Sequence, residues 1–337
     1  MNVSFVDRIF KSRRQVLATA IAFGALWCNA HAADSAETFP TRSIKLVVGF
    51  SAGGPTDVAA RIVAAHMSKT LGQPVVVDNR PGSNGISAAQ AVMSSAPDGY
   101  TLLMGTNGML TMYPAIKADA KFKPLTDLAP IALVSSFPYL LVVNPKVLPV
   151  TSVKELVDFS KRNPAQVTYG SGGIGNVSHL GAELFATSAG VKLVHVPYKG
   201  DSAFMNDLIA GHVSMAFASI PVGMPQVQEG NVKALAITKT HRSDKLPDLP
   251  TMMESGFSEF HLEPWNGILG PAALPADIVA KINRSIGLAL QDPETLKRLA
   301  DLSLEPLFAS PEEFRKRLEV DLVRWKKVAD DSKISIE

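Results

Sequence analysis

The sequence predicts an α/β protein of two lobes, each a mainly parallel sheet flanked by helices, joined by two crossing segments. Three observations predict it. Strand-like and helix-like runs alternate regularly from Ile44 onward. A unit of strand, glycine loop and helix occurs at residues 44–57 and again from Val167 through Val177. Two long apolar runs, Ile131 to Val143 (broken at Pro138) and Phe260 to Leu269, read as crossings between lobes. The first lobe is therefore drawn from residues 40–136 and 260–337, and the second from 137–259. The two connections make a natural hinge.

Residues 1–32 are set aside as an export signal peptide. Arg8, Lys11, Arg13 and Arg14 form a positive start, and Val16 to Trp27 is an apolar stretch too short to span a bilayer. Ala30-His31-Ala32 is a cleavage signal of the A-x-A kind. Ser12-Arg13-Arg14-Gln15-Val16-Leu17 fits a twin-arginine signal as well as it fits an ordinary secretory one. The segment carries four of the 33 Lys and Arg and one of the 31 Asp and Glu. The mature chain then holds 29 against 30, a net charge of −1, which gives no footing for nucleic acid. Cys28, the single cysteine, leaves with the signal and takes thiol catalysis and Cys-ligated metal with it. The reading is an exported, globular, periplasmic protein, monomeric, with no cofactor and no metal spacing.

In chain order, Ile44 to Val48 is a strand and Val58 to Leu71 a helix closed by Gly72. Val75 to Val77 and Tyr100 to Met104 are further strands, with a helix from Ile86 to Met93 between them. The third strand runs into Gly105-Thr106-Asn107-Gly108, read as a loop. In the second lobe, Val153 to Arg162 is a helix, Val167 to Gly170 a strand and Val177 to about Ala189 a helix. Val191 to Val196 is a strand, Ala203 to Ala210 a helix, and Val213 to Ala218 and Val232 to Thr238 are strands. Three closing helices begin near Pro275, Pro293 and Pro311, where a missing N–H does no harm.

The loops at the strand ends are where an open α/β sheet binds ligands. Gly49-Phe50-Ser51-Ala52-Gly53-Gly54 leads into Pro55-Thr56-Asp57, and Ser171-Gly172-Gly173-Ile174-Gly175-Asn176 repeats that chemistry. Each aims backbone N–H groups and the positive end of a helix dipole at one spot. The candidate ligand contacts are Phe50, Ser51, Gly53, Gly54, Thr56 and Asp57 in the first lobe, with Asn107 at a strand end. In the second lobe they are Ser171, Gly172, Gly173, Asn176, His179, Tyr198 and Ser219. Asp57 reads either as a helix N-terminal acid or, for a ligand with an ammonium, as its contact. Phe50, Tyr113, Tyr198 and Trp265 read as pocket walls or as plain packing, and Lys199 as solvated.

Two enzyme readings compete. Gly49-Phe50-Ser51-Ala52-Gly53 matches the G-x-S-x-G nucleophile elbow, which would make Ser51 the nucleophile of an esterase. The helix, however, starts late, after Gly54-Pro55, and no strand of the mature chain precedes the elbow to carry an oxyanion loop. A nucleotide phosphate site would need G-x-x-x-x-G-K-[ST], which the chain lacks.

A family resemblance adds to this. Gly49-Phe50-Ser51-Ala52-Gly53-Gly54-Pro55-Thr56-Asp57, Asn79-Arg80-Pro81-Gly82, Asp98-Gly99-Tyr100-Thr101-Leu102-Leu103, Tyr169-Gly170-Ser171-Gly172-Gly173, Ser178-His179-Leu180 and His195-Val196-Pro197-Tyr198-Lys199-Gly200 follow one another in order. Together they resemble the Bug family of periplasmic receptors, the solute-binding components of tripartite tricarboxylate transporters. The resemblance implies a two-lobed periplasmic binding fold, type II-like, that closes on a small carboxylate: an amino acid, a di- or tricarboxylate, or an aromatic acid. It implies that backbone N–H groups and ordered waters of the two glycine loops hold the carboxylate, with no catalytic residue. The implied partners are the ligand and the membrane subunits of a transporter, or no transporter for an orphan receptor. Ser51-Ala52 departs from the Ala-Ala or Pro-Ala frequent in the family.

Overall fold

The computed structural model describes residues 38–117, 122–243, 246–260, 262–331 and 333–334. Residues 1–32, which the sequence reading sets aside as an export signal, and His261 lie outside them. The first lobe opens with β1 (Ile44–Val48), α1 (Pro55–Leu71), β2 (Val75–Asn79), α2 (Ile86–Met93), β3 (Thr101–Thr106) and β4 (Leu128–Ser136). The second holds β5 (Tyr139–Val143), α3 (Val153–Arg162), β6 (Thr168–Ser171), α4 (Val177–Ala189), β7 (Val194–Pro197), α5 (Asp201–Ala210), β8 (Met215–Ser219), α6 (Ile220–Gln228) and β9 (Lys233–Ile237). The chain then returns with β10 (Trp265–Pro271), α7 (Ala276–Ala289), α8 (Pro293–Asp301), β11 (Glu305–Pro306) and α9 (Pro311–Asp331).

The first sheet has the order β11-β4-β10-β3-β1-β2 and the second β7-β6-β8-β5-β9. β1 lies inside its sheet, so four of its five residues are buried and it reads as an unbroken apolar run. α1 starts with Pro55 and stops at Gly72, whose φ of 73° is the left-handed conformation that ends helices. Its buried face is Ala59, Ala60, Ile62, Val63 and Met67, set by helical spacing.

Both sheets are mixed. In the first, β10 runs against β3 and β4. In the second, β5 runs against β8 and β9. The reversed strands β5 and β10 are the first strands after each crossing, and register explains them. Tyr139, the first residue of β5, pairs with Ser219, the last residue of β8. Trp265, the first of β10, pairs with Ser136, the last of β4, and Asn266 pairs with Thr106, the last of β3. A strand that enters a sheet at its carboxyl edge must run against its neighbours. Both crossings therefore join carboxyl edge to carboxyl edge, and those edges face each other across the gap between lobes. The crossings also touch: the Phe137 N–H donates to the Pro264 carbonyl at 3.1 Å. Beside them the Tyr139 N–H donates to Thr238 Oγ1 at 2.9 Å, and the Thr238 N–H to the Tyr139 carbonyl at 3.0 Å.

Two local differences from the sequence reading have clear causes. The stretch after β3 is no loop: Asn107 leads straight into a wide helical turn, Gly108–Met112, started by Thr106 Oγ1 accepting the Met109 N–H at 3.2 Å. Helix α6 went unread because it carries Pro221 in its first turn and Pro225 inside. Trp265 is packing rather than a pocket wall. It is fully buried, lies edge-on to Phe314 with ring centroids 5.2 Å apart, and donates Nε1–H to Asp321 at 2.7 Å. Asp321 is itself buried and paired with Arg317 at 3.1 Å. Trp265→Phe leaves that carboxylate one donor short and is expected to cost about 1–3 kcal/mol. Urea or guanidinium unfolding measures it; an unchanged midpoint would contradict the account.

Candidate functional site

The first glycine loop leaves β1 at the carboxyl edge. Gly49 is required by close approach: a Cβ there would lie 2.5 Å from Gly85 Cα. Gly54 stands at the start of α1 in extended conformation, and no side chain caps the helix. The first N–H groups of α1 therefore lack a capping partner, as an anion site needs. Gly53 has φ +84° and gives its N–H to Asp57 Oδ2 at 2.8 Å. Asp57 is buried and also accepts from Arg61 Nε at 3.0 Å and Asn79 Nδ2 at 2.8 Å. Burial alone would raise its pKa; the hydrogen bonds from Arg61, the Gly53 N–H and Asn79 outweigh that and hold it below the usual carboxylate range. Asp57 is thus the brace of the loop. Thr56 points inward and donates to Asn266 Oδ1 at 3.0 Å. Ser51 is exposed at the tip, and Phe50 is partly buried with its ring near Gly85.

The second loop is built differently. Its N–H groups are largely engaged by its own side chains: Gly172 with Ser178 Oγ at 2.9 Å, Gly173 with Ser171 Oγ at 3.2 Å, and Gly175 with His179 Nδ1 at 3.1 Å. Asn176 caps α4 by accepting the Ser178 N–H at 3.1 Å. Under the loop lies a stack. Tyr169 and His195 are 4.8 Å apart, centroid to centroid, and His195 and His179 4.1 Å. His195 Nε2 is 2.6 Å from Ser171 Oγ, and the Tyr169 hydroxyl donates to Glu183. Burial lowers His179 to about 3, helped by the neighbouring His195, and lowers His195 to about 4, so both are neutral. With Nδ1 accepting from Gly175, His179 carries its proton on Nε2. Tyr198 follows β7; its N–H donates to the Ser171 carbonyl at 2.9 Å, but its hydroxyl turns to Asp207 at 2.6 Å.

Asp201, not singled out in the sequence, sits beside this loop at the start of α5. A Cβ on Gly172 would lie 3.0 Å from its Oδ1. Its Oδ2 accepts the Ser219 N–H at 3.2 Å, and it is hydrogen-bonded to Tyr139. Burial of the carboxyl group raises its pKa above the ordinary carboxylate value, against the hydrogen bonds from Ser219 and Tyr139. Asn107 Oδ1 is buried with no hydrogen-bond partner on the first carboxyl edge, and the buried Ser219 hydroxyl on the second lies beside Asp201 and helps to hold its pKa down. The lobes touch here: Asn84 Nδ2 donates to the Gly175 carbonyl at 3.3 Å.

Among the described residues the serine–histidine hydrogen bond is that of Ser171 with His195, and Ser171 is fully buried, closed to an ester carbonyl. A groove of about 720 Å³ lies elsewhere, between α7 and residues 308–311, lined by Leu274, Val279, Leu288 and Phe308 with Arg284. It takes no residue from either loop. Among the described residues no cluster of three or more His, Cys, Asp or Glu could hold a metal.

Two expectations follow. Asp57→Ala strands the Gly53 N–H, Asn79 and Arg61 and should lower stability by about 1–3 kcal/mol, read by chemical denaturation; no loss would refute the bracing role. The unfolded chain titrates its histidines near pH 6.5, whereas the folded one keeps them neutral to about 4 and about 3. Below pH ~6.5 the unfolded state therefore takes up protons that the folded state refuses, and stability falls as pH drops toward 4. His195→Gln should melt with a shallower fall over that window than the wild type; parallel melting-temperature profiles would count against it.

The family model described as tripartite tricarboxylate transporter family receptor, TctC, matches residues 59–334. BugT of Bordetella pertussis is 36% identical over 292 residues, 86% of this chain and 89% of that one. Among solved structures, an R. palustris protein with adipate has a TM-score of 0.82 at 35% identity, covering 88% of this chain and 99% of its own. The periplasmic binding protein BugD has 0.80 at 33%, covering 89% and 100%. MatC from Rhodopseudomonas palustris with bound malate has 0.78 at 32%, covering 86% and 99%. The chain belongs to the Bug family of tripartite tricarboxylate transporter receptors.

Proposed function

We propose that this protein is a periplasmic receptor that captures a small carboxylate between its lobes and presents it to the membrane subunits of a tripartite tricarboxylate transporter. The observation that carries the reading is the uncapped start of α1 beneath a glycine loop, on an edge that faces the other lobe. Relatives solved with adipate and malate support the ligand class. Among the described residues no helix is long and apolar enough to cross a membrane, which suits a receptor that works outside it. It acts as a monomer and does no chemistry on its ligand.

The carboxylate takes N–H donors around Ser51, Gly54 and Thr56, each worth about 1.5–3 kcal/mol to a charged oxygen. The helix dipole adds about 0.3–1 kcal/mol. The second lobe then closes over it with the Ser171–Asn176 loop and Ser219, while Asn107 of the first lobe supplies a further polar contact. The paired crossings serve as the hinge, and closure follows only if the ligand touches both lobes better in the closed form.

A thermal-shift screen against amino acids, di- and tricarboxylates and aromatic acids tests this. A ligand at about 100 times its Kd should add about 2.7 kcal/mol of stability. Gly54→Val keeps an ordinary φ, and its Cβ meets only Ser51 O at 3.5 Å, so it should fold. It crowds the anion position and should weaken binding at least tenfold, about 1.4 kcal/mol. Unchanged affinity in that variant would place the carboxylate elsewhere.

A further inference from the structure

The loop that follows β2 belongs to neither glycine loop, yet it joins them. Its base is packed on the first: a Cβ on Gly85 would lie 2.3 Å from Met109 Cε and 3.5 Å from the Phe50 ring, and a Cβ on Gly49 would lie 2.5 Å from Gly85 Cα. Its tip meets the second: Asn84 Nδ2 donates to the Gly175 carbonyl at 3.3 Å. Gly82, Ser83, Asn84 and Gly85 all have positive φ, 145°, 47°, 53° and 84°. Ser83 and Asn84 thus occupy the left-handed region, where glycine is at ease. The side chain at 84 stands where glycine would suit the backbone, and the bond it makes goes to the other lobe. Gly175 is shaped to receive it. It is buried with φ +77°, its N–H bonded to His179 Nδ1, and a Cβ there would lie 2.8 Å from Ile116 Cδ1 and 3.6 Å from Tyr113 Cδ2. The first lobe therefore lands on Gly175 with two groups, the Asn84 amide and the Ile116 side chain.

Strand order places this contact away from the hinge. β2 is the outer strand of the first sheet, three places from β10, which follows a crossing. At about 4.8 Å per strand that is roughly 14 Å. The glycine loop after β1 stands between. β6, which leads to Gly175, is two places from β5, the strand after the other crossing. The Lys239–Glu305 pair, by contrast, lies beside the crossings, next to Thr238 and opposite Ser136. A contact beside the axis survives rotation; one across the cleft must break for the lobes to part. We propose that Asn84 is a latch: its amide closes the far side of the cleft on the Gly175 carbonyl and sets how firmly the lobes hold a solute. This rests on the lobe closure of the proposed function and adds a positioning residue that touches no solute. A bond between two protein groups needs no solute, so it biases the free protein toward closure as well. Affinity for a solute that binds the closed form then falls by the factor in which the closed fraction falls.

The test is a distance measurement on the purified mature protein, which lacks Cys28, with no solute added. Spin labels are placed on Ser94→Cys after α2 and Ser188→Cys near the end of α4, exposed positions at the helix ends remote from the carboxyl edges. Double electron–electron resonance reads the distance between them. Asn84→Gly keeps the left-handed backbone and removes only the amide. It should lower the ratio of closed to open distances about threefold or more, the worth of one neutral hydrogen bond. Asn84→Asp sets a carboxylate oxygen against the carbonyl and should lower it further. Ser83→Gly, one residue earlier in the same backbone conformation, should leave it unchanged. If both Asn84 variants keep the wild-type distances, if the wild type shows the open distance alone, or if Ser83→Gly shifts them as far as Asn84→Gly, Asn84 is no latch. None of these results touches the carboxylate reading, which the thermal-shift screen decides with solute present.

Discussion

The chain passes between its two sheets twice, side by side, and the register of those passages decides where everything else can be. β5 enters opposite Ser219 and β10 opposite Thr106 and Ser136, so each passage spans from one carboxyl edge to the other. Parallel strands place all their βα loops on that edge. The two glycine loops, Asn107, Ser219 and the start of α5 are thereby brought to one cleft from positions far apart in sequence. The Phe137–Pro264 hydrogen bond keeps the passages together, and the Lys239–Glu305 ion pair ties the end of the second lobe to β11 of the first. A join this narrow leaves rotation of one lobe against the other as the soft motion.

The two loops look alike in sequence but divide the work. The first is braced from below by one buried carboxylate, and its helix start is left uncapped. The second has the N–H groups of Gly172, Gly173 and Gly175 taken by Ser178, Ser171 and His179, so under the proposed function it would meet a ligand with neighbouring side chains rather than with those backbone donors. The difference matters energetically. A bond to a charged oxygen contributes only where the donor is not already committed, and breaking an internal bond to make a ligand bond gains little.

Much of this was legible. Alternating apolar runs, the glycine loops and the break at Pro138 fixed the architecture, because strand and helix periods and turn chemistry are local properties. Asn107, Ser219, His179 and the loop residues stand out as candidates because they end strands or open helices, and the fold carries them to the two carboxyl edges. What stayed hidden depended on distance through space. Asp201 follows Tyr198-Lys199-Gly200 and reads as a helix N-terminal acid like any other; only the packing of α5 beside β8 reveals a buried carboxyl group held by Ser219 and Tyr139. Asp57 carried the reverse ambiguity, resolved by Arg61 one turn on and Asn79 from the next strand. The reversal of β5 and β10 is a matter of register, which no periodicity records. α6 was masked by prolines that suit a short helix's first turn and are tolerated once inside it.

The histidine pair shows how the second loop keeps its form. His195 bonds Ser171 at the loop's entry and His179 bonds Gly175 near its exit, and the two rings stack against each other and Tyr169. Protonating either ring would put charge into a desolvated stack. Protonating His179 would also remove the lone pair that accepts the Gly175 N–H. The fold resists this by lowering both to about 3 and about 4. The loop is thus held by groups whose charge stays constant over the range in which free histidine titrates. The resistance has a thermodynamic counterpart: protons refused by the native state are accepted by the unfolded one. Loop geometry is preserved on acidification, and the cost appears in global stability instead.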